Sequence, residues 1–466
     1  MRQRLHKNEI SKPLTTTRHF VVKRFIKYFF ASFLSLSFCF SLGAADEPST
    51  QTDTSSSGSD EPGFTSSPDE GSFSSNPGEV NSVIGTGDLG RKMGFDKDSG
   101  IRIGGLVIED YSYLLAGGYF PHKGGGTSVV FLNLALDTEK LKWWKGGLFS
   151  ATYLRYDGRN INAYAGSIQG YNSLPGLPPL DRNEIYELWF RQDIIKKKFF
   201  MRIGQMITTF DFANVIRPVA FKEEHLNLPA NTSLTYNPIF IMPTLLGVMP
   251  GFYNSAFGVT ATYLPTHSSY ISYGVYDGNL ARGKNTGMRG PQFNGYYFHV
   301  AETGFAWSGK KKMHGNIGFG GWYQSGKLTT ATDISQRGET GLYIFGSQRL
   351  WWQHPGVDSS GLIGFFQGGW NNSRTLQMTR FAGGGLTFYG LVPCRKNDSF
   401  GCGASWTKLN KNIFLRYSEM MYQAYYQIVF TPNIFLTTSF SYIPDPGADP
   451  TLDAVYAFTS RLIAVF

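Results

Sequence analysis

The thirteen residues AVYAFTSRLIAVF, Ala454 to Phe466, alternate with the period of a β-strand. One phase is Tyr456, Phe458, Leu462, Ala464 and Phe466; the other carries Thr459 and the only charge of the stretch, Arg461. Such a strand turns an apolar row toward lipid and Arg461 toward a polar interior. In a bilayer no water satisfies an open backbone edge, so the expected solution is a sheet closed on itself, with this strand paired to the first. Phe466, an aromatic residue ending the strand, is the expected contact for the barrel-assembly machinery.

Composition points the same way. The chain has 466 residues with 55 Gly, 16% aromatic and only 17% charged residues, an unusual balance for a soluble multidomain protein. Beyond residue 45 there is no run of about 18 apolar residues, so membrane helices are not expected. A mean hydropathy of −0.20 does not count against a membrane protein, because barrel strands are half polar.

The amino terminus reads as an export signal over residues 1–45. Arg18, Lys23, Arg24 and Lys27 precede the apolar run Tyr28 to Leu42, and Gly43-Ala44-Ala45 supplies small residues for cleavage. A membrane anchor is the alternative, but the run is short for one; a lipoprotein signal at Cys39 is weaker, since Phe38 stands where a small residue is wanted. Residues 46–84 are rich in Ser, Thr, Pro, Gly and acid. Such a leader cannot bury enough apolar area to offset its ordering entropy, so it is expected to be disordered. Residues 1–45 hold eight Lys or Arg and one Glu, so cleavage takes the 43 basic and 34 acidic residues to 35 and 33. The sequence pI of 9.2 therefore belongs mostly to the signal and implies no nucleic acid. Residues 46–81 carry eight more acids, which leaves a barrel region of 35 basic and 25 acidic residues.

Gly85-Thr86-Gly87-Asp88-Leu89-Gly90 has the spacing of a dinucleotide loop without the strand and helix that such a loop joins, so it reads as a turn-rich approach to the first strand. From Ile101 onward the alternation recurs. Val129 to Asp137 and Leu148 to Tyr156 flank a short link ending in Gly146-Gly147, a hairpin. In Glu184 to Ile194, Tyr186, Leu188 and Phe190 take one face and Glu187, Arg191 and Asp193 the other; Lys196-Lys197-Lys198 turns the chain, and Phe199, Met201 and Ile203 leave Arg202 pointing the opposite way. Tyr422 to Phe430, the turn Thr431-Pro432-Asn433 and Ile434 to Tyr442 form another hairpin with one lipid face and one wet face. Trp143, Trp144, Trp351 and Trp352 fall near strand ends, where interface girdles are expected. A soluble β-sandwich shares the period but does not account for so many strands in one run.

The reading is thus an all-β, transmembrane antiparallel barrel over residues 85–466, in the outer membrane. Its length allows roughly 14 to 18 strands, enough to leave an aqueous lumen. Glu187, Arg191, Asp193, Arg202, Arg155 and Arg461 are the candidate pore-lining residues. Acidic wall groups draw cations, mixed signs orient a zwitterion, and fixed polar groups with aromatic rings suit sugars; many of the charges could instead pair with one another. Long connectors at about Tyr164 to Arg182 and Phe212 to Gly251 can fold inward as a constriction or carry adhesion.

Gly87-Asp88-Leu89-Gly90, Leu136 to Leu141 with Gly146-Gly147, Tyr186 to Trp189 with Arg202 to Gln205, Gly274 to Gly278 and Tyr442 to Gly447 occur in an order that resembles the OprB family of carbohydrate-selective porins. The resemblance implies a sixteen-stranded barrel. Within the family, the acidic leader together with Cys394 and Cys402 is most similar to channels that take up L-arginine in an arginine/agmatine exchange system. That similarity implies arginine as the solute, with a carbohydrate as the alternative.

No other chemistry is indicated. The eight His lack zinc-site spacing, so neither a metal nor a cofactor is expected. A hydrolase would need a Ser and an orienting group beside a base such as His299, and the sequence places neither. Cys394 and Cys402 lie in an oxidising compartment and could form a loop disulfide, intermolecular links or free thiols. Oligomers are compatible with the sequence.

Overall fold

The computed structural model describes residues 84–466 apart from 97, 177–180, 196–197, 217–231, 252, 267, 289, 309–312, 331–332 and 356–359. The signal, nearly all of the leader and Lys196-Lys197 lie outside the described residues. Sixteen strands carry the fold: β1 (Ile101–Ala116), β2 (Gly124–Asp137), β3 (Gly147–Gly158), β4 (Arg182–Ile195), β5 (Phe199–Met206), β6 (Ala256–Thr266), β7 (Ser269–Asp277), β8 (Tyr297–Ser308), β9 (His314–Thr329), β10 (Ser335–Trp352), β11 (Gly361–Asn371), β12 (Met378–Tyr389), β13 (Ser399–Leu409), β14 (Ser418–Thr431), β15 (Ile434–Ile443) and β16 (Val455–Val465). Each pairs antiparallel with its neighbours in the chain, and β1 pairs with β16 to close the ring. No backbone edge is left to lipid.

The faces follow the period of two. In β16, Tyr456, Phe458, Leu462 and Ala464 look outward, whereas Thr459 and Arg461 are buried inside. Leu134, Leu188, Ile271, Phe319, Leu342 and Phe366 are likewise exposed on the outer face, as lipid contact requires. Short turns join β2 to β3, β6 to β7 and β14 to β15 at one end, while the long connectors 159–181 and 207–255 leave the other. Short turns face the periplasm, so the connectors belong to the outer side.

The glycine-rich approach to β1 closes the seam from below. Asp88–Lys92 is a one-turn helix, and ahead of it the Thr86 N–H donates to the Phe466 carbonyl at 3.1 Å. The Gly105 N–H donates to the same oxygen at 2.7 Å, and the Asn433 amide reaches Asp88 at 2.8 Å. Gly105 has to be glycine: a Cβ there would fall 2.6 Å from the Phe466 ring.

Three local expectations are corrected. Tyr186 points inward along with Glu187, because a bulge opposite Thr152 and Tyr153 inserts one residue into β4. Trp352 is buried inside and joins no girdle, whereas Trp143, Trp144 and Trp351 are exposed at the turn end. Cys394 and Cys402 form no disulfide: Cys394 sits in the β12–β13 turn, while Cys402 lies within β13 with an exposed, outward side chain. The pairing of β13 with β12 and β14 holds Cys402 in the sheet, so the loop reading fails there.

Two measurements test this arrangement. In lipid vesicles a membrane-impermeant maleimide should label Cys394 from the turn side and leave Cys402 protected by lipid; an unreduced mass two protons below the dithiol would contradict it. Deleting Tyr456 to Phe466 removes the partner of both β1 and β15, so the truncated chain should give no heat-modifiable, protease-resistant band.

Candidate functional site

Described parts of the long connectors pack against the inner wall of the barrel. Segment 237–253, NPIFIMPTLLGVMPGFY, is an apolar loop whose exposure to water would be costly. Its Pro238 and Pro243 open short 3-10 turns and bring no backbone N–H that would need a partner. Ile239, Ile241, Met242, Leu245 and Val248 are buried in one cluster with inward wall residues Tyr343, Phe365 and Phe381. Tyr253 stacks on the wall ring of Tyr156 with centroids 3.6 Å apart. The wall makes room with glycine: at Gly320 a Cβ would collide with the ring of Tyr343. Burial pushes the phenols of Tyr171, Tyr236 and Tyr253 on these connectors above the ordinary tyrosine range, so they stay neutral.

Buried polar side chains of the wall pin the connectors through their backbone. Glu302 on β8 accepts from the Ala213 N–H at 2.6 Å and from the hydroxyls of Tyr270 and Tyr343 at 2.6 and 2.8 Å. Glu419 on β14 accepts from the N–H groups of Ile168, Gln169 and Gly447 at 2.9, 2.9 and 2.6 Å and from the Ser167 hydroxyl at 2.9 Å. Gln423 accepts from the Thr235 and Tyr236 N–H groups at 2.6 and 3.1 Å and donates to the Tyr171 carbonyl at 3.0 Å. These residues are absent from the candidate set. The cue for them was an acid or amide on the inward phase of an otherwise aromatic strand.

The candidate residues themselves scatter. Arg461 makes a two-pronged contact with Asp110 at 2.8 and 2.7 Å and donates onward to Asn172 and Ser173. Arg202 is fully buried, ion-paired with Asp211 of the connector and standing 5.0 Å over the Trp189 ring. Glu187, also fully buried, accepts from the Ile207 N–H at 3.3 Å, where the connector leaves β5. Arg191 and Asp193 pair at 3.0 Å near the turn end, with Arg191 4.1 Å over Phe200. Arg155 departs from the assignment: it lies on the outer face of β3, ion-paired with Asp157, because Ser150, Thr152, Leu154 and Tyr156 take the inward phase.

Arg349, which sequence reasoning missed, points inward on β10 with its guanidinium 4.0 Å over the Trp352 ring. Its three nitrogens have no hydrogen-bond acceptor among the described residues. His299 is on the outer face, where its ring shares a hydrogen bond of 2.8 Å with the Tyr273 hydroxyl.

A model of the carbohydrate-selective porins matches residues 127–462, most of the barrel. The chain belongs to the OprB family. In structure it is similar to Pseudomonas putida OprB at high pH, with a TM-score of 0.69 and 16% identity over 85% of this chain and 100% of that one. The low-pH form of the same porin gives 0.52 and 14% over 82% and 97%. No curated protein matches in sequence. This OprB-family chain is therefore an integral outer-membrane porin.

Because Glu302 fastens the connector, Glu302→Ala should leave the Ala213 N–H and two phenols without their acceptor. The expected cost is about 1–3 kcal/mol for each donor that stays buried. Urea unfolding should register that loss, while single-channel recording should show a larger, noisier conductance as the connector loosens. Unchanged conductance would mean that the connector is held elsewhere.

Proposed function

We propose that this porin passes small hydrophilic solutes by diffusion, with neutral carbohydrates as its preferred class. The observation that carries the reading is the state of the wall charges. Asp110, Glu187, Asp193, Glu302 and Glu419 each already take donors from the protein itself. A guanidinium solute needs a carboxylate free to receive it. The wall cation without an acceptor among the described residues is Arg349, buried over the Trp352 ring, and its charge repels another cation. The family's printed description, carbohydrate-selective, agrees with this choice. Uptake of arginine has no comparable support from the site.

Liposome swelling with isosmotic glucose, arginine and glutamate tests the proposal. Glucose should enter faster than arginine, and Glu187→Gln with Asp193→Asn should change both fluxes alike, because these acids act inside the protein. Faster arginine entry that the double variant selectively slows would overturn the carbohydrate reading in favour of arginine.

A further inference from the structure

The outer face carries a feature that passage of solute does not use. Near the connector end, one row of outward side chains runs in register across neighbouring strands. Tyr273 pairs with Ala301, Ala301 with Gly321, Gly321 with Leu342, and Leu342 with Trp370. Trp370 then pairs with Arg380, and Arg380 with Lys408. Over Ala301 and Gly321 the row is hollow, a mostly apolar groove of about 480 Å³ walled by Tyr273, His299, Tyr323, Leu342 and Trp370. At its other end two cations stand directly opposite each other.

That opposition is unfavourable as it stands. Like charges facing across a strand pair repel, and charges on a lipid face cost free energy that is small only near the interface. Neither side chain has an ion pair or a hydrogen bond among the described residues; Lys408 only sits 4.9 Å over the Tyr417 ring. Arg380 is the third residue of β12 and Lys408 the last but one of β13, so both lie close to the connector end of the wall, the end that meets the outer leaflet. At about 4.8 Å per strand, Gly321 lies roughly 14 Å from Arg380 along the row.

We propose that this row binds a phosphorylated glycolipid of the outer leaflet. One phosphate bridges Arg380 and Lys408, converting their repulsion into two charge-assisted contacts, and acyl chains of the same molecule fill the groove over Ala301 and Gly321. Trp370, which lines the groove and flanks Arg380, marks the junction between the two parts. The chemistry recognised is a phosphate monoester attached to hydrocarbon, so neither a free phosphate nor an uncharged lipid satisfies both ends.

The test uses the purified full chain in detergent, titrated by native mass spectrometry with bisphosphorylated lipid A, its dephosphorylated form and inorganic phosphate. Wild type should retain one lipid A about tenfold or more tightly than Arg380→Gln with Lys408→Gln, and than it retains the dephosphorylated lipid. Gly321→Leu, which fills the groove and leaves both cations, should also weaken lipid A. Heat-modifiable mobility confirms that each variant is folded; should the double variant not fold, Gly321→Leu and the dephosphorylated lipid still decide. Equal retention by wild type and the folded double variant, equal retention of the two lipids, or displacement of lipid A by millimolar inorganic phosphate alone would each overturn the proposal.

Discussion

The contact between Arg461 and Asp110 joins the last strand to the first from inside the wall. Its two short hydrogen bonds satisfy both charges in a place that water does not reach, and the remaining donors hold Asn172 and Ser173 of an inward connector. A buried pair of this kind is weak evidence for stability, since desolvating two ions costs nearly what their attraction returns. What it fixes is register: slipping β16 by one residue would put Arg461 into lipid and leave Asp110 buried and unpaired. One side chain thus ties the seam of the barrel to an inward connector.

The same economy runs round the inner wall. A barrel this wide has more interior than its wall side chains can fill, and described parts of the connectors pack Ile, Met, Leu and Tyr against that wall. An apolar loop inside a polar lumen creates a backbone problem, because its N–H groups lose water. Glu302, Glu419 and Gln423 solve it as acceptors placed where the loop passes. Charges that read from sequence as solute-facing are to that extent internal fasteners.

The period of two made the barrel legible, and the phases of β14, β15 and β16 could be read residue by residue because apolar and polar positions there do not mix. Reading failed where a local insertion broke the period, as at Tyr186, or where the inward face is itself apolar. Leu154 and Tyr156 look like lipid contacts in sequence, yet they face a connector, and that mistake sent Arg155 to the wrong side. The fastening role of Glu302 was not legible, because its partners Ala213, Tyr270 and Tyr343 are far apart in the chain and meet only once the loop has entered. The loop's own composition, apolar from Pro238 to Tyr253, fits its inward place, although the sequence reading left constriction and adhesion both open.

The hook of Thr86 over the Phe466 carbonyl means that the ring of strands has no natural starting point. Thr86 lies within hydrogen-bonding distance of where β16 finishes, so a peptide linker of a few residues could join Phe466 to the segment just ahead of Thr86 without disturbing a ladder. New ends could then open in the tight turn at Pro432-Asn433, where β14 passes to β15. A barrel rewired in this way would keep every neighbour it now has, and the numbering of its strands would become a convention of synthesis with no bearing on its architecture.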